Sequence, residues 1–89
     1  MIVEYSTKFV KDLKALHGTP SFIKIRELSF DIIPALQSLA EIPHFSKLEG
    51  YDNYYRLRVG DYRIGVKIEG EVLIFMRVLH RKEIYRYFP

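Results

Sequence analysis

The sequence predicts an α+β fold with the element order β-αα-βββ. Apolar residues recur at helical spacing through the first half of the chain, between Ser6 and Leu39. From Tyr54 to Leu79 the pattern changes to alternating apolar and polar residues, which is typical of β-strands. Glycines punctuate this second region at Gly60 and Gly70, where turns are expected. Helices segregated from a run of strands indicate the α+β class.

Length and composition limit the alternatives. A chain of 89 residues with 48% hydrophobic residues suffices for one domain spanning residues 1–89 and argues against disorder. The chain contains no cysteine, which excludes disulfides and thiolate metal sites and fits a cytoplasmic protein. No apolar run approaches the roughly 20 residues needed to cross a membrane. The net charge of +3 is modest, so the placement of the charges matters more than their sum.

The first elements are a strand and a helix. Residues Ile2–Tyr5 alternate and are rich in β-formers, which predicts a short strand. Ser6 is a good N-cap for the helix that follows, and Gly18 can adopt the left-handed conformation that ends many helices. The apolar stripe of this helix consists of Phe9, Leu13 and Leu16.

A second helix is expected to begin at Thr19 and Pro20, as cap and first helical residue. Pro34 should kink this helix or end it near Ile33, because proline lacks the backbone donor and clashes with the preceding turn. Its apolar stripe comprises Phe22, Ile25, Leu28, Ile32, Leu36 and Leu39. The two helices would form an αα-hairpin, followed by a connecting segment over residues 43–53.

Three consecutive antiparallel strands are predicted next, over residues 54–59, 62–68 and 72–79. Gly60 and Asp61 form a two-residue hairpin signal between the first two strands. Residues 81–87 should form a short helix or an extended tail. The predicted core contains Phe9, Leu13, Phe22, Ile25, Ile32, Leu57, Ile64, Val66 and Ile74, and the terminal aromatics Tyr87 and Phe88 are also expected to be buried.

Arginines occupy the polar positions of the first two of these strands. Alternation places Arg56 and Arg58 opposite Leu57, and Arg63 on the same face of the neighbouring strand. Guanidinium groups bind phosphate in bidentate fashion and stay charged at any relevant pH. The tyrosines among them could stack on unpaired bases. These features indicate RNA binding, and they are compatible with RNA cleavage.

Four short motifs, in this order, resemble the RelE/ParE superfamily of toxins from type II toxin–antitoxin pairs, in its RelE-like branch. They are Lys47-Leu48-x-Gly50, Tyr55-Arg-x-Arg58, Gly60-Asp-Tyr-Arg63 and His80-Arg-x-x-x-Tyr85-Arg86. The resemblance implies a twisted antiparallel sheet packed on the helical hairpin. It further implies an endoribonuclease that cleaves mRNA on the ribosome by 2′-hydroxyl attack, without a metal or other cofactor.

The same resemblance implies site residues. It assigns phosphate contacts to Arg56, Arg58 and Arg63, a contact to the leaving group to Arg81, and a base or orienting role to Tyr85. The best-known relatives carry lysines where this chain has Arg56 and Arg58, and arginine cannot act as a base. His80 is added on chemical grounds as the acid, because an imidazole exchanges protons near neutral pH. His17 and His44 receive no role, and the three scattered histidines do not suggest a metal site.

The implied partners are a cognate antitoxin, the ribosome with its mRNA, and operator DNA reached only through the antitoxin complex. Two alternatives remain open at this point. One is a gyrase-poisoning toxin of the ParE kind, which has the same fold but generally lacks the motif around His80 and Tyr85. The other is a catalytically inactive homologue that binds its antitoxin and regulates.

Overall fold

The computed structural model describes residues 1–89. The helical elements are α1 (Thr7–Ala15), α2 (Phe22–Glu27), a π-helical turn (Leu28–Ile32), α3 (Ile33–Ala35), a short 3₁₀ turn (Leu39–Glu41) and α4 (Ile84–Tyr87). The strands are β1 (Ile2–Tyr5), β2 (Phe45–Lys47), β3 (Tyr54–Val59), β4 (Tyr62–Glu69) and β5 (Val72–His80). None of the helices has the length and apolar character required to span a bilayer.

The five strands form one sheet in the order β1-β5-β4-β3-β2. Strands β3, β4 and β5 are consecutive and antiparallel, which confirms the α+β class and the predicted strand run. Two features differ from the expected antiparallel sheet. Strand β1 pairs with β5 in parallel, and β2 lies within the predicted connecting segment, antiparallel to β3. A three-residue strand such as β2 is too short to show a periodicity in the sequence.

Helix α1 begins where the sequence predicts. The Ser6 hydroxyl accepts a hydrogen bond from the Phe9 amide at 3.0 Å and donates one to the Met76 carbonyl at 2.8 Å. The cap therefore also ties the start of the helix to β5. Gly18 has φ +95° just beyond the helix, in the left-handed region expected of it.

The second helical region begins later than predicted, and it ends close to Ile33, as Pro34 predicts. It starts at Phe22, not at Pro20, because the Thr19 hydroxyl donates to the Leu16 carbonyl at 2.7 Å and so closes the end of α1. It ends at Ala35, directly after Pro34. Leu36 and Leu39 therefore lie beyond the helix, although both still pack against the core.

The π-helical turn changes which isoleucine faces the core. Each residue of a π-helix hydrogen-bonds five positions away, so the apolar stripe shifts by about one residue. As a result Ile33 is buried, whereas Ile32 is 45% exposed. The prediction of Ile32 as a core residue is therefore wrong.

The core lies between the helices and one face of the sheet, here called the inner face. It contains most of the predicted residues, with Phe22 only partly buried. Ile74 is an exception, because the register between β4 and β5 passes from Gly65↔Arg77 to Val66↔Phe75 and leaves Met76 as an extra residue. This bulge reverses the alternation along β5, so Ile74 pairs with Lys67 on the opposite face. The prediction of Ile74 in the core is wrong for that reason.

The C-terminal residues cover part of that opposite face, here called the outer face. Residues 84–87 form α4, which is the helical option predicted for the tail. Ile84 and Phe88 are buried outside the main core cluster. Phe88 lies on Gly65, where a β-carbon would come within 2.6 Å of its ring. Tyr87, also predicted to be buried, is 52% exposed.

Candidate active site on the outer face

Three arginines form a continuous cationic surface on the outer face. Arg56 and Arg58 are two residues apart on β3, which corresponds to about 7 Å along a strand. Arg63 on β4 is the cross-strand partner of Arg58. All three side chains line one cavity, together with residues of β2 and its preceding turn: His44, Phe45 and Ser46. The strand pairing thus places the three predicted phosphate-binding residues around one space.

Tyr85 reaches this cationic surface from α4. An Arg56 Nη1–H donates to the Tyr85 hydroxyl oxygen, and the guanidinium carbon lies 5.8 Å from the centre of the ring. The Nε–H of Arg56 donates to the Ser46 hydroxyl at 3.2 Å. Arg56 is therefore held between β2 and α4, while the Tyr85 side chain remains accessible to solvent. The structure therefore brings Arg56 and Tyr85, both predicted as site residues, into contact.

The arginines repel one another electrostatically. Burial lowers the pKa of Arg63 from its ordinary value, and the nearby charges of Arg58, Arg56 and Arg81 act in the same direction, whereas Tyr85 opposes them. Arg63 is held in place by donating to the carbonyls of Gly60 at 2.8 Å and Tyr62 at 3.0 Å. A bound anion would reduce the repulsion between these cations, so the surface is suited to a phosphate group.

Arg81 lies at the edge of the same surface. Its backbone amide donates to the Asp61 carbonyl at 2.8 Å, which fixes it beside the turn between β3 and β4. Its Nε lies 3.9 Å from the Asp61 carboxylate, and the side chain is largely exposed. The structure thus brings Arg81 near Arg63 with its guanidinium free to turn toward a ligand.

His80 does not join the arginines. It is the cross-strand partner of Tyr62, and its ring meets that of Tyr62 edge to face at 5.6 Å between centroids. Tyr62 alternates with Arg63 and lies on the same side as buried Ile64, so His80 points to the inner side of the sheet. Its Nδ1 also accepts a hydrogen bond from the Lys82 amide at 3.2 Å.

The histidine that the structure places beside the arginines is His44. Its Nδ1 lies 3.3 Å from Arg58 Nη2, and its carbonyl accepts from the Arg58 amide at 3.2 Å. His44 also has φ +55°, a left-handed backbone conformation that is uncommon for residues other than glycine. Sequence reasoning missed it, because its position follows from the pairing of β2 with β3.

A second cavity adjoins Arg56 on its other side. It is bounded by Tyr85 and by the segment that follows β2, including Leu48, Glu49 and Tyr51. Tyr51 and Tyr85 are both about half exposed, at 47% and 53%. Exposed aromatic rings beside a cationic surface provide a site on which unpaired bases can stack. No three His, Asp or Glu side chains are clustered as a metal site would require.

Comparison with known proteins agrees with this architecture. Residues 3–85 match the family model described as the ParE toxin of the type II toxin–antitoxin system parDE. A protein of Methanocaldococcus jannaschii named toxin RelE3 is 46% identical over 91 residues, covering all of both chains.

Solved structures show the same fold. A chain in the crystal structure of the RelB–RelE antitoxin–toxin complex from Methanococcus jannaschii matches with a TM-score of 0.78 and 44% identity, over 97% of this chain and 99% of that one. A chain of the Escherichia coli DinJ–YafQ complex matches with a TM-score of 0.73 and 21% identity, over 93% and 96%. The chain therefore belongs to the RelE/ParE superfamily of toxins from type II toxin–antitoxin systems.

Proposed function

We propose that the protein is the toxin of a type II toxin–antitoxin pair and an endoribonuclease that cleaves mRNA on the ribosome. The observation that carries this proposal is the contact between Arg56 and the Tyr85 hydroxyl, at the edge of a surface that also presents Arg58 and Arg63. This arrangement combines phosphate-binding cations with a group able to exchange a proton. A surface used only for nucleic-acid binding would not require the hydroxyl.

The reaction is attack of a ribose 2′-hydroxyl on the adjacent phosphorus, with loss of the 5′-oxygen of the next nucleotide. Negative charge builds up on the phosphate oxygens in the transition state. Arg56, Arg58 and Arg63 surround the space where these oxygens would lie, and Arg81 stands at its edge. A preorganised donor contributes about 3 kcal/mol to lowering such a barrier, which makes the arginines the main source of catalysis.

Tyr85 supplies a hydroxyl that transfers or orients a proton. Its oxygen accepts from Arg56, so its own hydrogen remains available for the substrate. Negative charge on this oxygen during the reaction would be stabilised by the adjacent guanidinium. The exposed ring of Tyr51 lines the second cavity, where it is available to stack on a neighbouring base.

The partner of the free toxin is a cognate antitoxin. The matched Methanococcus jannaschii chain belongs to an antitoxin–toxin complex and shares nearly half its sequence with this protein. We expect the antitoxin to carry an acidic amphipathic segment that covers the arginines, because complementary charge gives fast and salt-sensitive association. A chain that bound its genomic neighbour no more tightly than an unrelated acidic peptide would contradict this expectation.

A gyrase-poisoning activity is the second candidate, because the matching family model is described as a ParE toxin. The two functions differ in their product. Expression under tight control, followed by mapping of new mRNA 5′ ends, should show cuts within translated codons. Accumulation of DNA breaks without such cuts would favour the gyrase function.

Tyr85→Phe tests the role of the hydroxyl directly, because it keeps the ring. We expect a loss of cleavage on the order of 100-fold, as for other general acid–base groups. Tyr87→Phe is the matched control, because Tyr87 lies on the same helix and is equally exposed. Normal cleavage by Tyr85→Phe would remove the proton-transfer role of this residue.

A further inference from the structure

In-line cleavage of RNA requires two proton-transfer groups on opposite sides of the phosphorus. One group takes the proton of the entering 2′-oxygen, and the other protonates the leaving 5′-oxygen, which lies roughly opposite. Arginine can do neither, because it does not lose its proton in a protein. Tyr85 is one such group, and His80 lies on the inner side of the sheet.

His44 stands at the other end of the arginine row from Tyr85. Tyr85 contacts Arg56, and His44 contacts Arg58, two residues further along the same strand. A phosphate bound by both arginines would therefore have a hydroxyl on one side and an imidazole on the other. We propose that His44 is the general base of RNA cleavage, an inference that rests on the proposed endoribonuclease function.

The contact with Arg58 indicates which nitrogen of the His44 ring carries the hydrogen. Nδ1 can accept the Nη2–H of Arg58 only when it is unprotonated, which leaves the ring proton on Nε2. When a phosphate oxygen takes that Arg58 hydrogen instead, the Nδ1 lone pair becomes free. Binding of the substrate to the cations thus exposes the base at the position where it is needed.

The backbone holds His44 in this place. Its carbonyl accepts a hydrogen bond from the Arg58 amide. Its left-handed φ is a strained backbone conformation of the kind that clusters at functional sites. The charged residues that share a cavity with His44 are Arg56 and Arg58 on β3, Arg63 on β4 and Lys24 on α2, and Arg58 contacts the ring directly.

The proposed step conserves atoms and charge. Nδ1 of His44 takes the 2′-hydroxyl proton as the 2′-oxygen bonds to phosphorus, and the bond from phosphorus to the 5′-oxygen breaks. The Tyr85 hydroxyl gives its proton to that oxygen, and Arg56 stabilises the resulting phenolate. The products carry a 2′,3′-cyclic phosphate and a 5′-hydroxyl, and exchange with water restores both side chains.

His44→Asn is the decisive variant, because asparagine tolerates positive φ and its side-chain oxygen can still accept from Arg58. The assay is single-turnover cleavage of mRNA on programmed ribosomes, across pH and toxin concentration. We expect the maximal rate to fall about 100-fold. The toxin concentration at half-maximal rate should stay within about twofold, and the rise in rate from acidic to neutral pH should disappear. His17→Asn, at the end of α1, is the matched control.

A second variant distinguishes loss of catalysis from loss of folding. His44→Gly accommodates the positive φ without strain and leaves space beside Arg58. Added imidazole should restore cleavage by this variant and should not affect Tyr85→Phe. The role of His44, but not the proposed function, would be overturned if His44→Asn were fully active in a system where the wild type cleaves. Absence of imidazole rescue would have the same meaning. Absence of cleavage by the wild type would overturn the proposed function, and the role of His44 with it.

Discussion

Substitution of Gly65 by alanine should release the C-terminal residues and inactivate the toxin while leaving the sheet intact. Gly65 lies on β4 beneath Phe88, and an added β-carbon would lie 2.6 to 2.7 Å from three carbons of that ring. Contacts that short do not persist, so either the strand or the ring must move. Strand β4 is paired on both sides within the sheet, whereas Phe88 lies outside the sheet, directly after the four-residue helix α4. The ring is therefore expected to move.

The size of the effect follows from the burial of Phe88. The side chain is 4% exposed, and full burial of a phenylalanine stabilises by about 1.5–3 kcal/mol. At about 1.4 kcal/mol per factor of ten, loss of this contact lowers the equilibrium constant for docking of the tail by roughly 10- to 150-fold. Tyr85 lies on α4 within the same segment, so cleavage should fall by up to the same factor.

Hydrogen exchange and a double-mutant cycle test this reasoning. In Gly65→Ala, exchange should accelerate at the Phe88 amide, which donates to the Ile84 carbonyl at 2.8 Å, and remain unchanged in β4 and β5. Phe88→Ala removes the ring, so adding Gly65→Ala to that variant should cause almost no further loss in the stability of tail docking. The steric argument would be refuted if Gly65→Ala lowered the stability of tail docking equally in the wild type and in Phe88→Ala. Slow hydrogen exchange of the tail amides in Gly65→Ala alone would refute it as well.

Three further predictions concern single side chains. Arg81→Ala should abolish cleavage but change the free energy of unfolding by less than about 1 kcal/mol, because its ion pair is exposed; a large loss of stability in denaturant titration would contradict this. Arg56→Lys should retain more single-turnover activity than Arg56→Ala, because lysine keeps a positive charge at this position, and equal activities would argue against a charge requirement. Asp12→Ala should lower the free energy of unfolding by about 2–3 kcal/mol, because Arg77 and the Val78 amide both donate to this carboxylate; a change below about 1 kcal/mol would show that the pair is replaceable.

Local patterns in the sequence determined the elements and the arginine surface. The cap at Ser6, the alternation in β3 and β4, and the turn at Gly60 each depend on residues close together in the chain. Alternation alone was enough to place Arg56, Arg58 and Arg63 on one face, because side chains on a strand change sides at every residue. Where a local irregularity interrupted the repeat, as in the π-helical turn before Ile33, the prediction failed by one position.

Only the tertiary structure decided which histidine lies beside the arginines. His44 is brought there by the pairing of β2 with β3, and Tyr85 by the packing of Phe88 on Gly65. His80 is directed to the other side of the sheet by its position opposite Tyr62. Each of these placements results from contacts between residues well separated in the chain, whose energies no local pattern records. Local patterns therefore determined the cations of the site and a motif resemblance named Tyr85, whereas only the tertiary structure placed His44, and not His80, beside the arginines.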